Sequence, residues 1–162
     1  MRVDEALLPN GKTALREVVE HPGGVCVVAL TENKEVLAVR QFRYPYSEIL
    51  LEIPAGKLDS LDEDPLDAAK RELREETGAV AGTITKLGVI YPSPGCYGEK
   101  LYMFAAKDLK FGNTQFDEDE FLEVEKIPLK DFVKLSMSGK IKDAKTEIAI
   151  LKIDKLIKDG KF

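Results

Sequence analysis

The sequence predicts a single α/β domain, and three observations predict it. Short apolar, β-branched runs crowd the first third of the chain, a charged segment with both helix-start and helix-stop signals follows, and the last third mixes further strand-like runs with two helical stretches. That order, rich in strand first and mixed with helix later, fits an α+β arrangement or an α/β sandwich. At 162 residues and 44% hydrophobic content the chain suits one domain over 1–162, because such a length buries roughly two-thirds of its unfolded surface.

Taken in order, strands are expected at about 13–20, 24–31, 35–43 and 48–53, separated by Pro22-Gly23, Glu32-Asn33-Lys34 and Tyr44-Pro45. The opening, Met1 to Gly11, runs into the turn Pro9-Asn10-Gly11 almost at once, with no earlier strand to pair with. Either the natural chain begins earlier, or the domain lacks an N-terminal strand segment. Asp64-Pro65 supplies a cap and a first-turn proline for a helix to about Thr77, which Gly78 ends. Strands follow near 83–91, 99–106 and 120–127, then helices at about 129–138 and 143–158.

Composition removes several classes of function. A formal charge of −5 argues against a sequence-independent grip on nucleic acid, which relies on basic groups displacing counterions. No signal peptide is expected, and the sequence holds no apolar run of the roughly 18 residues needed to span a membrane. Cys26 and Cys96 are expected to be free thiols of a cytoplasmic protein, and His21, before Pro22-Gly23, a turn residue. A metal would be held mainly by oxygen, which favours Mg²⁺ or Mn²⁺ over Zn²⁺.

The segment Arg71-Glu72-Leu73-Arg74-Glu75-Glu76-Thr77-Gly78 carries the chemistry. At 100° per residue, Leu66 and Leu73 fall about 20° apart on a buried stripe. Glu72 and Glu76 fall about 40° apart on another face, with Glu75 about 60° from Glu72. Like charges so placed repel, so the patch suits a bound cation. Gly56, in Ile53-Pro54-Ala55-Gly56-Lys57, sits where a strand becomes a loop and backbone carbonyls can point toward the carboxylates.

The pattern G-x6-E-x7-R-E-L-x-E-E-x-G, through Gly56, Glu63, Arg71, Glu72, Leu73, Glu75, Glu76 and Gly78, resembles the Nudix box. The usual box has five residues between the glycine and the first glutamate, and this chain has six. Asp62 keeps the usual distance from Gly56, and Glu63 keeps the distance to Arg71, which the helix fixes. The resemblance implies an α/β/α sandwich with a mixed β-sheet, and Mg²⁺-assisted hydrolysis of a nucleoside diphosphate linked to another moiety. It also implies metal ligation by the Ala55 carbonyl, Glu72 and Glu76, a second ion bound or positioned by Glu75, and glutamates oriented by Arg71.

Beyond the box, Arg16 to Gly23, Arg40 to Pro45, Glu52 to Gly56, and Tyr91 to Gly95 with Glu99 are similar to the ADP-ribose pyrophosphatase subfamily. This implies that ADP-ribose is split into AMP and ribose 5-phosphate. Arg16 and Arg43 would clamp the diphosphate, since guanidinium forks suit phosphate oxygens. Ser93, Gly95 and Glu99 would contact substrate, and Glu52 would hold either Arg43 or a ribose hydroxyl. Within Asp117-Glu118-Asp119-Glu120, Glu118 or Glu120 would be the catalytic base. The subfamily's adenine site draws an aromatic residue from an N-terminal extension across a homodimer, and that extension is not seen here. Lys145-Thr146 resembles the family's last helix and is read as structural or as helix-start chemistry. Other substrates of the family, such as dinucleoside polyphosphates, oxidised nucleotides or other sugar nucleotides, and a non-catalytic ADP-ribose sensor, are the alternatives.

Overall fold

The computed structural model describes residues 1–112 and 122–162. Its centre is the strand β3 (Gly24–Ala29), every residue of which is buried. Successive side chains of a strand point to opposite faces, and β3 feeds two cores accordingly. Val25, Val27 and Ala29 join Ala68, Ala69 and Leu73 of the helix α1 (Pro65–Thr77). Cys26 and Val28 join Phe132 of α2 (Leu129–Met137) and Ile150 and Ile153 of α3 (Ala144–Lys158). A strand covered on both sides reads as a continuous apolar run, and the result is an α/β/α sandwich.

Around β3 lies a mixed sheet in the order β6-β3-β8-β7, comprising β6 (Ala55–Lys57), β7 (Ala79–Ile90) and β8 (Leu101–Phe111). β3 and β8 are parallel, and the other pairs are antiparallel. A three-stranded sheet, β5-β4-β9, is formed by β4 (Glu35–Arg43), β5 (Glu48–Glu52) and β9 (Leu122–Pro128).

The helix α1 follows its sequence signals closely. Asp64 accepts from the Leu66 N–H at 2.7 Å, Pro65 opens the first turn, and Gly78 closes the helix in the left-handed region at φ 69°. Three expectations need correction. The strand near 13–20 does have a partner: β1 (Arg2–Leu7) pairs antiparallel with β2 (Thr13–Val18), Glu5 facing Leu15. The turn between them is tied by Gly11 N–H to Leu8 O at 2.9 Å, with Gly11 at φ 79°. The stretch after Pro54 is strand rather than loop, because Ala55 and Gly56 pair with Cys26 and Val25. Finally, β7 starts at Ala79, directly after the helix, and shifts register between Lys86 and Gly88.

Candidate active site

The box residues meet where β6 passes the end of α1. A methyl group at Gly56 would lie 2.0 Å from the Glu72 carboxylate, so only glycine allows the backbone to approach this closely. One residue earlier, the Ala55 N–H donates to Glu76 Oε2 at 3.2 Å, holding a carboxylate that is buried to 2% exposure. Arg71 stands among the remaining acids. It donates to Glu72 Oε1 at 2.8 Å, to Glu75 Oε2 at 3.3 Å, to Glu63 at 3.3 and 3.4 Å and to the Lys57 carbonyl at 3.1 Å. Burial pulls its pKa down, but hydrogen bonds and charge from these carboxylates more than offset that and leave it raised.

The extra residue of the box is absorbed in the loop before the helix. Glu63, not Asp62, is the acid that Arg71 holds. Its other support is the Asp59 N–H at 2.6 Å, and that bond, ahead of Arg71, keeps its carboxyl below the usual range. The helix thus fixes the distance from Glu63 to Arg71, and the loop takes up the slack.

The cavity that Glu72 and Glu75 line, of about 660 Å³, is also lined by the cations Arg43 and Lys145. Arg43 grips Glu52 with both arms, Nε to Oε1 at 2.6 Å and Nη2 to Oε2 at 2.7 Å. Lys145 bonds the same carboxylate and also Asp143 at 2.9 Å. Burial alone would raise the Glu52 pKa, yet the bonds from Arg43 and the charge of Lys145 carry it below the ordinary value. Of the two roles left open for Glu52, the structure shows the first. Glu99 and His21 close another side: the His21 Nδ1 lies 3.7 Å from Glu99 and accepts the Gly23 N–H at 3.2 Å, while the ring packs on Tyr97 at 5.2 Å.

Of the residues singled out from the sequence, Arg43, Ala55, Glu72, Glu75 and Glu99 line this cavity, and Glu52 and Glu76 support it from behind. Arg16, Ser93 and Gly95 are not in its lining. Arg16 is exposed on β2, donating to the Leu15 carbonyl at 2.9 Å. The Ser93 carbonyl accepts the Tyr97 N–H at 3.0 Å, so the Ser-Pro-Gly turn shapes the rim through its backbone. Glu118 and Glu120 lie outside the described residues. Lys145, Asp143 and His21 line the cavity although the sequence reading gave them structural parts or none. Among the described residues no three His, Cys, Asp or Glu side chains form a ready-made metal cluster, Glu72 and Glu75 each being engaged by Arg71.

The NUDIX domain matches residues 20–147, most of the chain. The chain belongs to the Nudix family. Within it, an ADP-ribose pyrophosphatase of Bacillus subtilis is 45% identical over 150 residues, covering 91% of this chain and 80% of that protein. A methanol dehydrogenase activator of Bacillus methanolicus is 40% identical over 152 residues, covering 93% and 82%. A solved structure described as an ADP compounds hydrolase superposes with a TM-score of 0.83 at 22% identity, covering 99% of this chain and 87% of that one, and so shares the Nudix fold. Among the described residues no helix is long and apolar enough to cross a membrane.

Proposed function

We propose that this Nudix hydrolase splits the diphosphate of ADP-ribose, and of related ADP-sugars, into AMP and ribose 5-phosphate, using Mg²⁺ with Mn²⁺ as a substitute. The observation that carries the reading is one cavity whose walls include both box carboxylates of α1 and the cations Arg43 and Lys145. A diphosphate is the ligand such walls suit, since guanidinium takes its oxygens directly and carboxylates take them through a cation. The 45% identity to an ADP-ribose pyrophosphatase supports the substrate.

The donor set fits a hard divalent cation. Every candidate ligand is oxygen, from the Ala55 carbonyl, Glu72, Glu75 and Glu76, and the missing Cβ of Gly56 leaves the Glu72 carboxylate directly against the β6 backbone. A divalent cation, when bound, offsets the diphosphate charge and lowers the pKa of a water. The chain's own residues do the rest. Arg43 orients the diphosphate, Glu99 meets the sugar or base end, and Glu118 or Glu120 accepts the water's proton as its oxygen attacks phosphorus and the bridging P–O bond breaks.

In this reading the protein is a cytoplasmic homodimer, with Arg16 reaching substrate in the assembled pair rather than in its own cavity. Support comes from exposed apolar side chains on the β1–β2 hairpin, Val3, Leu7 and Leu15, and from two free cysteines. The test is AMP release from ADP-ribose with and without EDTA; absence of turnover at millimolar Mg²⁺ would sink the proposal. A second reading, a regulator that binds the nucleotide sugar without splitting it, is favoured by the similarity to the methanol dehydrogenase activator. Saturable ADP-ribose binding without AMP release would select it.

A further inference from the structure

The start of α3 does more than cap a helix. Lys145 borders the cavity with its side chain 14% exposed, and its ammonium bonds both Glu52 and Asp143. Glu52 is 2% exposed, and the two arms of Arg43 already occupy both of its oxygens. One guanidinium fork is enough to pair a buried carboxylate. A second cation on the same group is therefore surplus to keeping Glu52 charged, and its effect falls on Arg43. With Lys145 cancelling Glu52, the Arg43 guanidinium keeps positive charge to show to an anion in the cavity.

Asp143 does not undo this. Its second oxygen caps α3, accepting the Thr146 N–H at 3.0 Å, and a helix N-terminus stabilises an adjoining negative charge. The next residue tightens the arrangement, because Thr146 Oγ1 accepts the Ile53 N–H at 2.9 Å. The helix start thus grips the strand end at Ile53, one residue after Glu52 and two before Ala55.

We propose that Lys145 is a positioning residue for Arg43: by offsetting the charge of Glu52 and pinning that carboxylate to α3, it leaves more of the Arg43 guanidinium's positive charge for the substrate diphosphate and holds the guanidinium in place. The inference rests on the hydrolytic reading above, and the experiment separates the two. Steady-state kinetics on ADP-ribose would compare Lys145→Met, Lys145→Arg and Arg43→Gln with the Lys145→Met/Arg43→Gln double variant. The expected result is a KM raised about tenfold in Lys145→Met with kcat within about threefold, recovery of most of that loss in Lys145→Arg, and no further rise in KM when Lys145→Met is added to Arg43→Gln. An unchanged KM, a fall confined to kcat, or effects that multiply in the double variant would overturn it. Lys145→Gln serves the same comparison should Lys145→Met fail to fold.

The NMR signal of the Arg43 Nε–H, assigned by its loss in Arg43→Gln, reports the same positioning without turnover. It is expected to shift and broaden in Lys145→Met, and an unchanged signal overturns the inference. Failure of the wild-type protein to release AMP would instead remove the hydrolytic reading and leave this signal to decide the role of Lys145.

Discussion

Gly56→Ala separates the box geometry from the fold. The φ of Gly56 lies outside the left-handed region, so alanine meets no conformational penalty there, and the whole effect is steric. The new methyl would sit 2.0 to 2.3 Å from three atoms of the Glu72 carboxyl group, and relief to an ordinary contact of 3.4 Å displaces that group by about 1.4 Å. Because the obstacle is the end of a side chain, the fold can accommodate it. The swing gives up one hydrogen bond to Arg71, at about 1 kcal/mol, and strains a rotamer by about 1 kcal/mol. Together these lower Tm by about 4 to 8 °C. A displacement of that size at a reacting centre costs far more in rate, about 100-fold in kcat/KM. The assay pairs AMP release from ADP-ribose at saturating Mg²⁺ with urea unfolding of the same preparation. Wild-type kcat/KM, or a loss no larger than the unfolded fraction explains, would refute the reasoning that Gly56 exists to seat Glu72.

Divalent cations should raise Tm in the absence of nucleotide, since a ligand that binds only the folded state at 100 times its Kd adds about 2.7 kcal/mol; a Tm in Mg²⁺ equal to that in EDTA would count against the carboxylate site. The carboxyl of Glu52 titrates below its ordinary value of 4.5 in the fold, so its contribution to stability is present above that value and lost as pH falls through the folded pKa. The stability difference between wild type and Glu52→Gln, from urea unfolding at several pH values, should therefore shrink below about pH 4, and a difference that grows on acidification would contradict the ion pairing. Burial pushes the Cys26 thiol up to about 12, while Cys96 is exposed. A thiol reagent should label Cys96 alone in the native protein, with Cys26 reacting only after denaturation.

What the sequence revealed depended on how local each signal was. Asp64, Pro65 and Gly78 lie within the helix they delimit, and their hydrogen bonds form as those residue types require. The apolar run at 24–31 marked a strand, and the structure adds that β3 is covered on both faces by the two cores. The β1–β2 hairpin was only half legible: Pro9-Asn10-Gly11 marks a turn, but the sequence offered no clear strand before it, and Arg2–Leu7 is that strand. The cation wall was not legible. Lys145 and Glu52 stand 93 positions apart, and nothing in either neighbourhood marks the other as partner. Arg16 shows a different limit, because a residue type suited to phosphate does not say which cavity it faces, and Arg16 lies outside the lining of this one. The acid run at 117–120 lies outside the described residues, so the choice between Glu118 and Glu120 rests on sequence alone.

The crowding of acids on α1 can now be stated as a charge problem with a partial solution. Glu63, Glu72 and Glu75 all draw on Arg71, with Asp59 3.4 Å from the same guanidinium and Arg74 reaching Glu75 only at 3.7 Å. Five N–H donors in a rigid fork cannot satisfy that many carboxylate oxygens. Among the described residues these acids outnumber the cations bonded to them, and neighbouring carboxylates on the helix repel. Elsewhere in the cavity the balance is closer, because Arg43 and Lys145 are set against Glu52 and Asp143. One wall is thus short of positive charge, and the other is balanced side chain for side chain, with the N-terminus of α3 adding partial positive charge. A substrate that is itself anionic is attracted by the second wall and repelled by the first, unless a cation accompanies it. That asymmetry is why the two walls together call for a metal-bound diphosphate, where either wall alone would suit a simple cation or a simple anion.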